Sequence, residues 1–200
     1  MPYRAKRAFD IAIAVPLFVL TLPVQAIAAL GILATIGSPV LFSQTRPGLD
    51  GRPFMMRKFR TMHPIKPDRG WIDDATRMTR LGSLLRATSI DELPTIWNIV
   101  NGDMSLVGPR PLLMRYLERF SPEQARRMEV PPGLTGLAQV SGRNAQSWDE
   151  RFAFDVAYVD NCSLGLDIRI LARTAWTVLR REGVSAEGEA TMPEFRGSGF

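Results

Sequence analysis

From Ile11 to Ile36 the chain reads IAIAVPLFVLTLPVQAIAALGILATI, an uncharged run in which Thr21, Gln25 and Thr35 are the only polar side chains. As one straight helix it would extend roughly 39 Å, enough to cross a bilayer. A secretory signal fits poorly, because the run is too long and lacks a small-x-small cleavage site before a polar start. Two features argue against a plain crossing. Arg4, Lys6 and Arg7 precede the run, while Arg46, Arg52, Arg57, Lys58 and Arg60 follow it. The positive-inside rule places both flanks on the cytoplasmic side, which one crossing cannot supply. Pro16 and Pro23 also interrupt the run, and Pro23 leaves a backbone carbonyl that needs a local partner. The pattern predicts a re-entrant helix-break-helix bent at Pro23, with a simple transmembrane anchor as the alternative.

Beyond residue 44 the chain turns polar and basic, with turns at Arg46-Pro47-Gly48 and Asp50-Gly51. Residues 53–62, PFMMRKFRTM, alternate loosely and predict a strand. Residues 73–89 predict an amphipathic helix with Met78, Leu81, Leu84 and Leu85 inward. Residues 112–120 carry Leu113, Tyr116, Leu117 and Phe120 at helical spacing. Residues 166–181 place Ile168, Leu171, Ala175 and Val178 on one face, with Arg169, Arg173 and Arg180 on another. Such stripes read as core against solvent, or equally as helices lying among lipid headgroups. The expected fold is α+β and mostly helical, with a membrane segment over residues 1–40 and a compact cytoplasmic domain over 41–200.

Two hundred residues suffice for one domain with a real core. The net charge of +5 and pI of about 10.0 call for an anionic partner: nucleic acid, lipid headgroup or phosphorylated metabolite. The aromatics are few and not interleaved with basic residues, which argues against a nucleic-acid stacking surface. Cys162 is the single cysteine, so no internal disulfide forms, and this suits a reducing compartment. With His63 as the single histidine, a His/Cys metal cluster is excluded and no Ser-His-Asp triad is evident. A G-x-x-x-x-G-K-[ST] phosphate loop is also missing from the sequence.

The stretch SIDELPTIWNIVNGDMSLVGPRP, residues 89–111, sets Asp91 beside Glu92. One reading is structural. Ser89 to Glu92 fits a capping box, or Asp91 is the N-cap with Pro94 at the third helical position. Leu93, Ile96, Trp97 and Val100 would then form the apolar face and Gly102 the end. The other reading is chemical, since a helix start favours an ionised carboxylate, as a nucleophile or metal ligand must be. Nearby arginines favour phosphate: Arg86 precedes the pair, Arg110 sits between Pro109 and Pro111, and Arg143 lies beside Asn144 in QVSGRN. Converging guanidinium forks bind phosphate bidentately.

KRAFD before the apolar run, FSQTRPGLDGRPFMMRKFRTM, SIDELPTIWNIVNGDMSLVGPRP, VPPGLTGLAQVSGRN and GVSAEGEAT together resemble the bacterial sugar transferases. The resemblance is to the small monotopic phosphoglycosyl transferases that include the PglC enzymes, and it runs from about residue 4 to residue 195. It implies transfer of a phosphosugar from a UDP-sugar donor to a polyprenyl (undecaprenyl) phosphate acceptor, releasing UMP. It places the enzyme on membrane lipids at the cytoplasmic face of the bacterial plasma membrane, without nucleic acid. It implies Mg²⁺ at Asp91, Asp91 as nucleophile and Glu92 as its catalytic partner. Lys58, Arg60, Arg86, Arg110, Arg143 and Asn144 are the expected phosphate- and substrate-binding residues. The family's membrane break is usually Ser-Pro; here Leu22 precedes Pro23. The rival expectations are a membrane-tethered nucleic-acid binder, which would explain the charge, and a membrane-tethered scaffold, which would leave the carboxylate pair as a helix cap.

Overall fold

A computed structural model describes residues 3–142, 146–180 and 194–197. The apolar run forms one long helix, α1 (Lys6–Thr35). A hairpin follows, in which β1 (Leu41–Pro47) pairs antiparallel with β2 (Pro53–Phe59) from Leu41↔Phe59 to Pro47↔Pro53. The hairpin's connection turns at Asp50 (φ 54°) and Gly51 (φ 73°), the second turn foreseen in the sequence. Two short helices come next, α2 (Asp74–Arg77) and α3 (Arg80–Ala87). The single helix expected over 73–89 is split because Met78 is extended (ψ 126°) and Thr79 caps a new start, accepting from Gly82 N. Of its four expected inward residues, Leu85 is buried and Leu84 is exposed.

A tight 3-10 stretch over Ile90–Thr95 leads into α4 (Ile96–Asn101), which ends at left-handed Gly102. β3 (Ser105–Val107) then pairs in parallel with β4 (Gly133–Thr135). Between them lie a 3-10 stretch at Met114–Arg119 and α5 (Pro122–Ala125). The described part closes with α6 (Leu137–Ser141), α7 (Trp148–Asn161) and α8 (Leu164–Arg180). The main core joins Ala14 of α1 to Met56, Ile96, Ile99, Leu106 and Ile170. A second cluster joins Ala28 and Ile32 to Phe59 and Leu85.

The expected break at Pro23 is not an interruption: the chain stays helical through both Pro16 and Pro23. Each proline removes one intrahelical donor but does not by itself end a helix whose other bonds persist. Thr21 Oγ1 donates back to the Leu17 carbonyl at 2.7 Å, a bond of the kind that bends helices. Only 11% of the most apolar window of α1 is buried, and Leu20 is 76% exposed. A core helix would hide those side chains, so the exposed surface suits lipid. By length and composition α1 is also sufficient to cross a membrane. Yet both of its ends are held by the same body.

At the N-terminal end, Lys6 and Asp10 point inward one turn apart. Lys6 Nζ lies 2.6 Å from Asp167 Oδ2 and 3.3 Å from Asp10 Oδ1, all three residues being buried. Asp10 Oδ1 accepts from Leu106 N at 3.2 Å, and Tyr158 OH is 2.8 Å from Asp167 Oδ1. Arg7 donates to the carbonyls of Ile99 (2.5 Å) and Val100 (2.7 Å) near the end of α4. Lys6 and Arg7 are therefore internal ties rather than the free membrane-flanking charges that the positive-inside argument assumed. At the other end, Ala28 and Ile32 pack on Phe59 and Leu85.

The apolar stripe read on 166–181 does not form one inward face, although its Leu171 packs against the main core. Asp167 and Ile170 face inward, while Ile168, Trp176 and Val178 are exposed. An apolar row left outside on a basic helix is the arrangement of an interfacial helix.

Candidate active site

The carboxylate pair does not cap a helix. Ser89 is left-handed (φ 55°) and its side chain makes no capping bond, while Asp91 and Glu92 sit inside the 3-10 stretch one turn before α4. Pro94 has no N–H for an i→i−4 bond, so the chain tightens there instead of starting an α-helix. The stretch is docked edge-on to β2 by two buried polar residues. Thr95 Oγ1 donates to the Arg57 carbonyl at 2.8 Å. Asn98 Nδ2 donates to the Met55 carbonyl at 2.8 Å, and its Oδ1 accepts from Arg57 N at 3.3 Å. These bonds satisfy the outer edge of β2 and fix the distance between the pair and Lys58.

Glu92 and Asp91 are treated very differently. Glu92 Oε1 accepts from Lys58 Nζ at 2.5 Å and from Arg110 Nη2 at 2.8 Å. Burial alone would raise the Glu92 carboxyl, but the charges and hydrogen bonds of Arg110 and Lys58 hold it well below the usual carboxylate range. Asp91 is buried at 9% exposure, and its carboxylate has no hydrogen-bond or ion-pair partner among the described residues. Burial first, and then the neighbouring Glu92 charge, push it up to about 6, against the pull of Lys58, Arg86 and Arg110. One carboxylate is committed to cations. The other is kept unpaired.

Arg110 is placed by its backbone. Gly108 N donates to the Thr135 carbonyl and Gly133 N to the Pro109 carbonyl, both at 2.9 Å. Glycine is required here, since a Cβ on Gly133 would lie 2.1 Å from Gly108 N. Arg127 Nη2 donates to the Arg110 carbonyl at 2.7 Å while its guanidinium pairs with Asp155 in the interior. The Arg110 side chain uses only Nη2 on a protein acceptor among the described residues, leaving its other nitrogens for a ligand. Arg86 likewise spends Nε on Thr61 Oγ1 at 3.1 Å. Burial, and after it the charge of Arg110, lower the Lys58 ammonium and the Arg46 guanidinium. Cations thus crowd one another around the pair, a condition that an anionic ligand relieves.

Of the expected site residues, Asp91, Glu92, Lys58, Arg86 and Arg110 come together. Arg60 does not join them; it donates to the Pro39 carbonyl at 3.3 Å. Arg143 and Asn144 lie outside the described residues, as does GVSAEGEAT. Sequence reasoning missed Thr95, Asn98, Arg46, Arg127 and Asp155. Thr95 and Asn98 carried a signal: they are polar residues at otherwise apolar positions of LPTIWNIV.

Fold and site together define a protein with a long, outwardly apolar N-terminal helix that gathers cations about one paired and one unpaired carboxylate. The chain belongs to the bacterial sugar transferase family, whose pattern it matches over residues 1–181. It is 48% identical to the uncharacterized sugar transferase EpsL of Bacillus subtilis, over 97% of this chain and 96% of that protein. It is 44% identical to the UDP-glucose:undecaprenyl-phosphate glucose-1-phosphate transferase of Caulobacter vibrioides, covering 87% of this chain and 69% of the relative. Identity to the undecaprenyl-phosphate galactose phosphotransferase of Salmonella typhimurium is 38%, over 89% of this chain but 41% of that protein.

Proposed function

We propose that this protein transfers a sugar-1-phosphate from a UDP-sugar to undecaprenyl phosphate, giving the polyprenyl-diphosphate sugar and UMP. The observation that carries the reading is Asp91, a buried, unpartnered carboxylate beside a cation-held Glu92, in a chain of this family. An Asp91 oxygen attacks the phosphorus that bears the sugar; its bond to the α-phosphate oxygen breaks and UMP leaves. The acceptor's phosphate oxygen then attacks the same phosphorus and expels the Asp91 carboxylate. Two displacements replace one difficult transfer. Arg86 and Arg110 direct their remaining nitrogens at the charge on the departing phosphate. Glu92, held ionised by two cations, positions Lys58 and Arg110 and is a poor proton acceptor. The scaffold alternative leaves the pair as a helix cap, and neither carboxylate accepts a capping bond at the start of the 3-10 stretch or of α4.

Asp91 fits Mg²⁺, because a buried carboxylate without a protein partner suits a hard cation that completes its shell with substrate phosphate oxygens. Bound there, the ion would offset the negative charge of the diphosphate. Assay with a panel of UDP-sugars tests the whole reading: UMP and lipid-linked product should form in equal amounts and need the acceptor for turnover. Lipid-linked product without UMP, or neither from any donor, contradicts it.

The proposal includes a re-entrant α1 at the cytoplasmic face. It is supported by the tethering of residues 6–10 and 28–32 to one body, an arrangement that a helix crossing the bilayer cannot keep. A cysteine replacing Arg4 should resist a membrane-impermeant thiol reagent in intact cells and react after permeabilisation. Labelling in intact cells would mean a crossing helix.

A further inference from the structure

A groove of about 420 Å³ runs between α1, the hairpin and the segment where the carboxylate-bearing 3-10 stretch enters α4. Its walls are Phe18 and Ala29 of α1, Leu41 and Phe59 of the hairpin, and Pro94 and Trp97 just beyond Glu92. Phe18 and Trp97 face each other at its edge with ring centroids 5.7 Å apart. The size suits a lipid-like ligand, since ordinary ligand sites span roughly 300–1,000 Å³ and are mostly apolar. The lining includes one charge. Arg57 is exposed there, and its guanidinium has no hydrogen-bond or ion-pair partner among the described residues, although its backbone is bound to Thr95 and Asn98.

The geometry points to this groove as the seat of the acceptor's isoprenoid chain, next to its phosphate, with Arg57 as an anionic-headgroup contact. This rests on the acceptor proposed above. Three observations favour that occupant. One wall is the helix whose outer side chains, such as Leu20 and Ile27, are exposed, so an apolar surface fit for lipid adjoins the groove. The opposite wall is the segment that positions Asp91, so a chain lying in it delivers its head toward the site. An unpaired guanidinium among apolar side chains matches an amphiphile with one anionic end.

A polyprenyl phosphate bearing a diazirine in its isoprenoid units near the phosphate, irradiated with the full chain in phosphatidylglycerol vesicles, should label peptides containing Phe18, Ala29 or Trp97. Unlabelled undecaprenyl phosphate should compete, and extra phosphatidylglycerol should not. In steady-state assays Ala29→Trp, which fills the groove, should raise the KM for undecaprenyl phosphate by about tenfold or more, with the KM for UDP-sugar unchanged. Arg57→Gln, which preserves the packing, should shift the same KM in the same direction. Labelling elsewhere, equal competition by phosphatidylglycerol, or parallel rises in both KM values overturns the groove assignment. Labelled peptides without any turnover would instead leave the groove standing and defeat the proposed function.

Discussion

Asp91→Asn should lose turnover by roughly 10³-fold or more while folding and binding membranes normally. Asparagine keeps the size of the side chain, and Asp91 caps no helix and makes no ion pair that the change could break. The variant should also be more stable than the parent at alkaline pH when magnesium is chelated. The sign follows from the direction of the shift. An unfolded aspartate titrates near 3.9, and burial pushes folded Asp91 up to about 6. Below pH 4 both states keep the proton and no penalty exists. As pH rises from about 4 through 6 the unfolded chain loses its proton first, stability falls, and above that range the loss is constant. Its size is on the order of 2–3 kcal/mol. Thermal unfolding in chelator should therefore separate the two proteins at pH 8 and bring them together near pH 4. The catalytic counterpart is a rate that falls as pH drops through about 6, with the limb moving to lower pH as magnesium increases.

Arg110→Ala is the second large loss, expected at ~10²–10³-fold in kcat/KM. Its backbone position survives the change, because Arg127 and the glycine contacts hold main-chain atoms. The side chain alone disappears, and with it the guanidinium nitrogens that Glu92 leaves free. Arg110→Lys should recover only part of the loss, since an ammonium cannot make the planar two-bond fork. Arg169→Ala, on the exposed side of α8, should change kcat/KM by less than about twofold. Equal losses at 110 and 169 would mean that the arginines act as a diffuse field toward anionic membrane. Salt separates the cases too, because surface attraction is screened beyond roughly 10 Å at 0.1 M ionic strength.

The site was legible in sequence where its parts are neighbours along the chain. Asp91, Glu92 and Arg110 fall within one block, and the prolines around Arg110 marked a stiff turn. What stayed hidden depends on distant pairings. Lys58 reaches Glu92 across 34 positions, and Lys6 reaches Asp167 across 161. No periodicity reports such contacts. The KRAFD motif looked like a basic membrane flank because Lys6, Arg7 and Asp10 reveal their partners only when α1 lies against β3, α4 and α8. The cap reading of Ser89 failed for a local reason: left-handed Ser89 and donorless Pro94 together favour a 3-10 turn. The stripe on α8 stayed open between core and headgroup readings because an amphipathic pattern does not say which face meets protein. There a buried Asp167, needed by Lys6, decides the matter.

The central claim is that Asp91 itself carries the phosphosugar. Wild-type protein mixed with UDP-sugar and magnesium, without any lipid acceptor, should release up to one equivalent of UMP. Intact-mass spectrometry should then show one added phosphosugar, located on the peptide containing Asp91 and missing from Asp91→Asn. UMP that appears only after undecaprenyl phosphate is added, with the protein mass unchanged throughout, would contradict it.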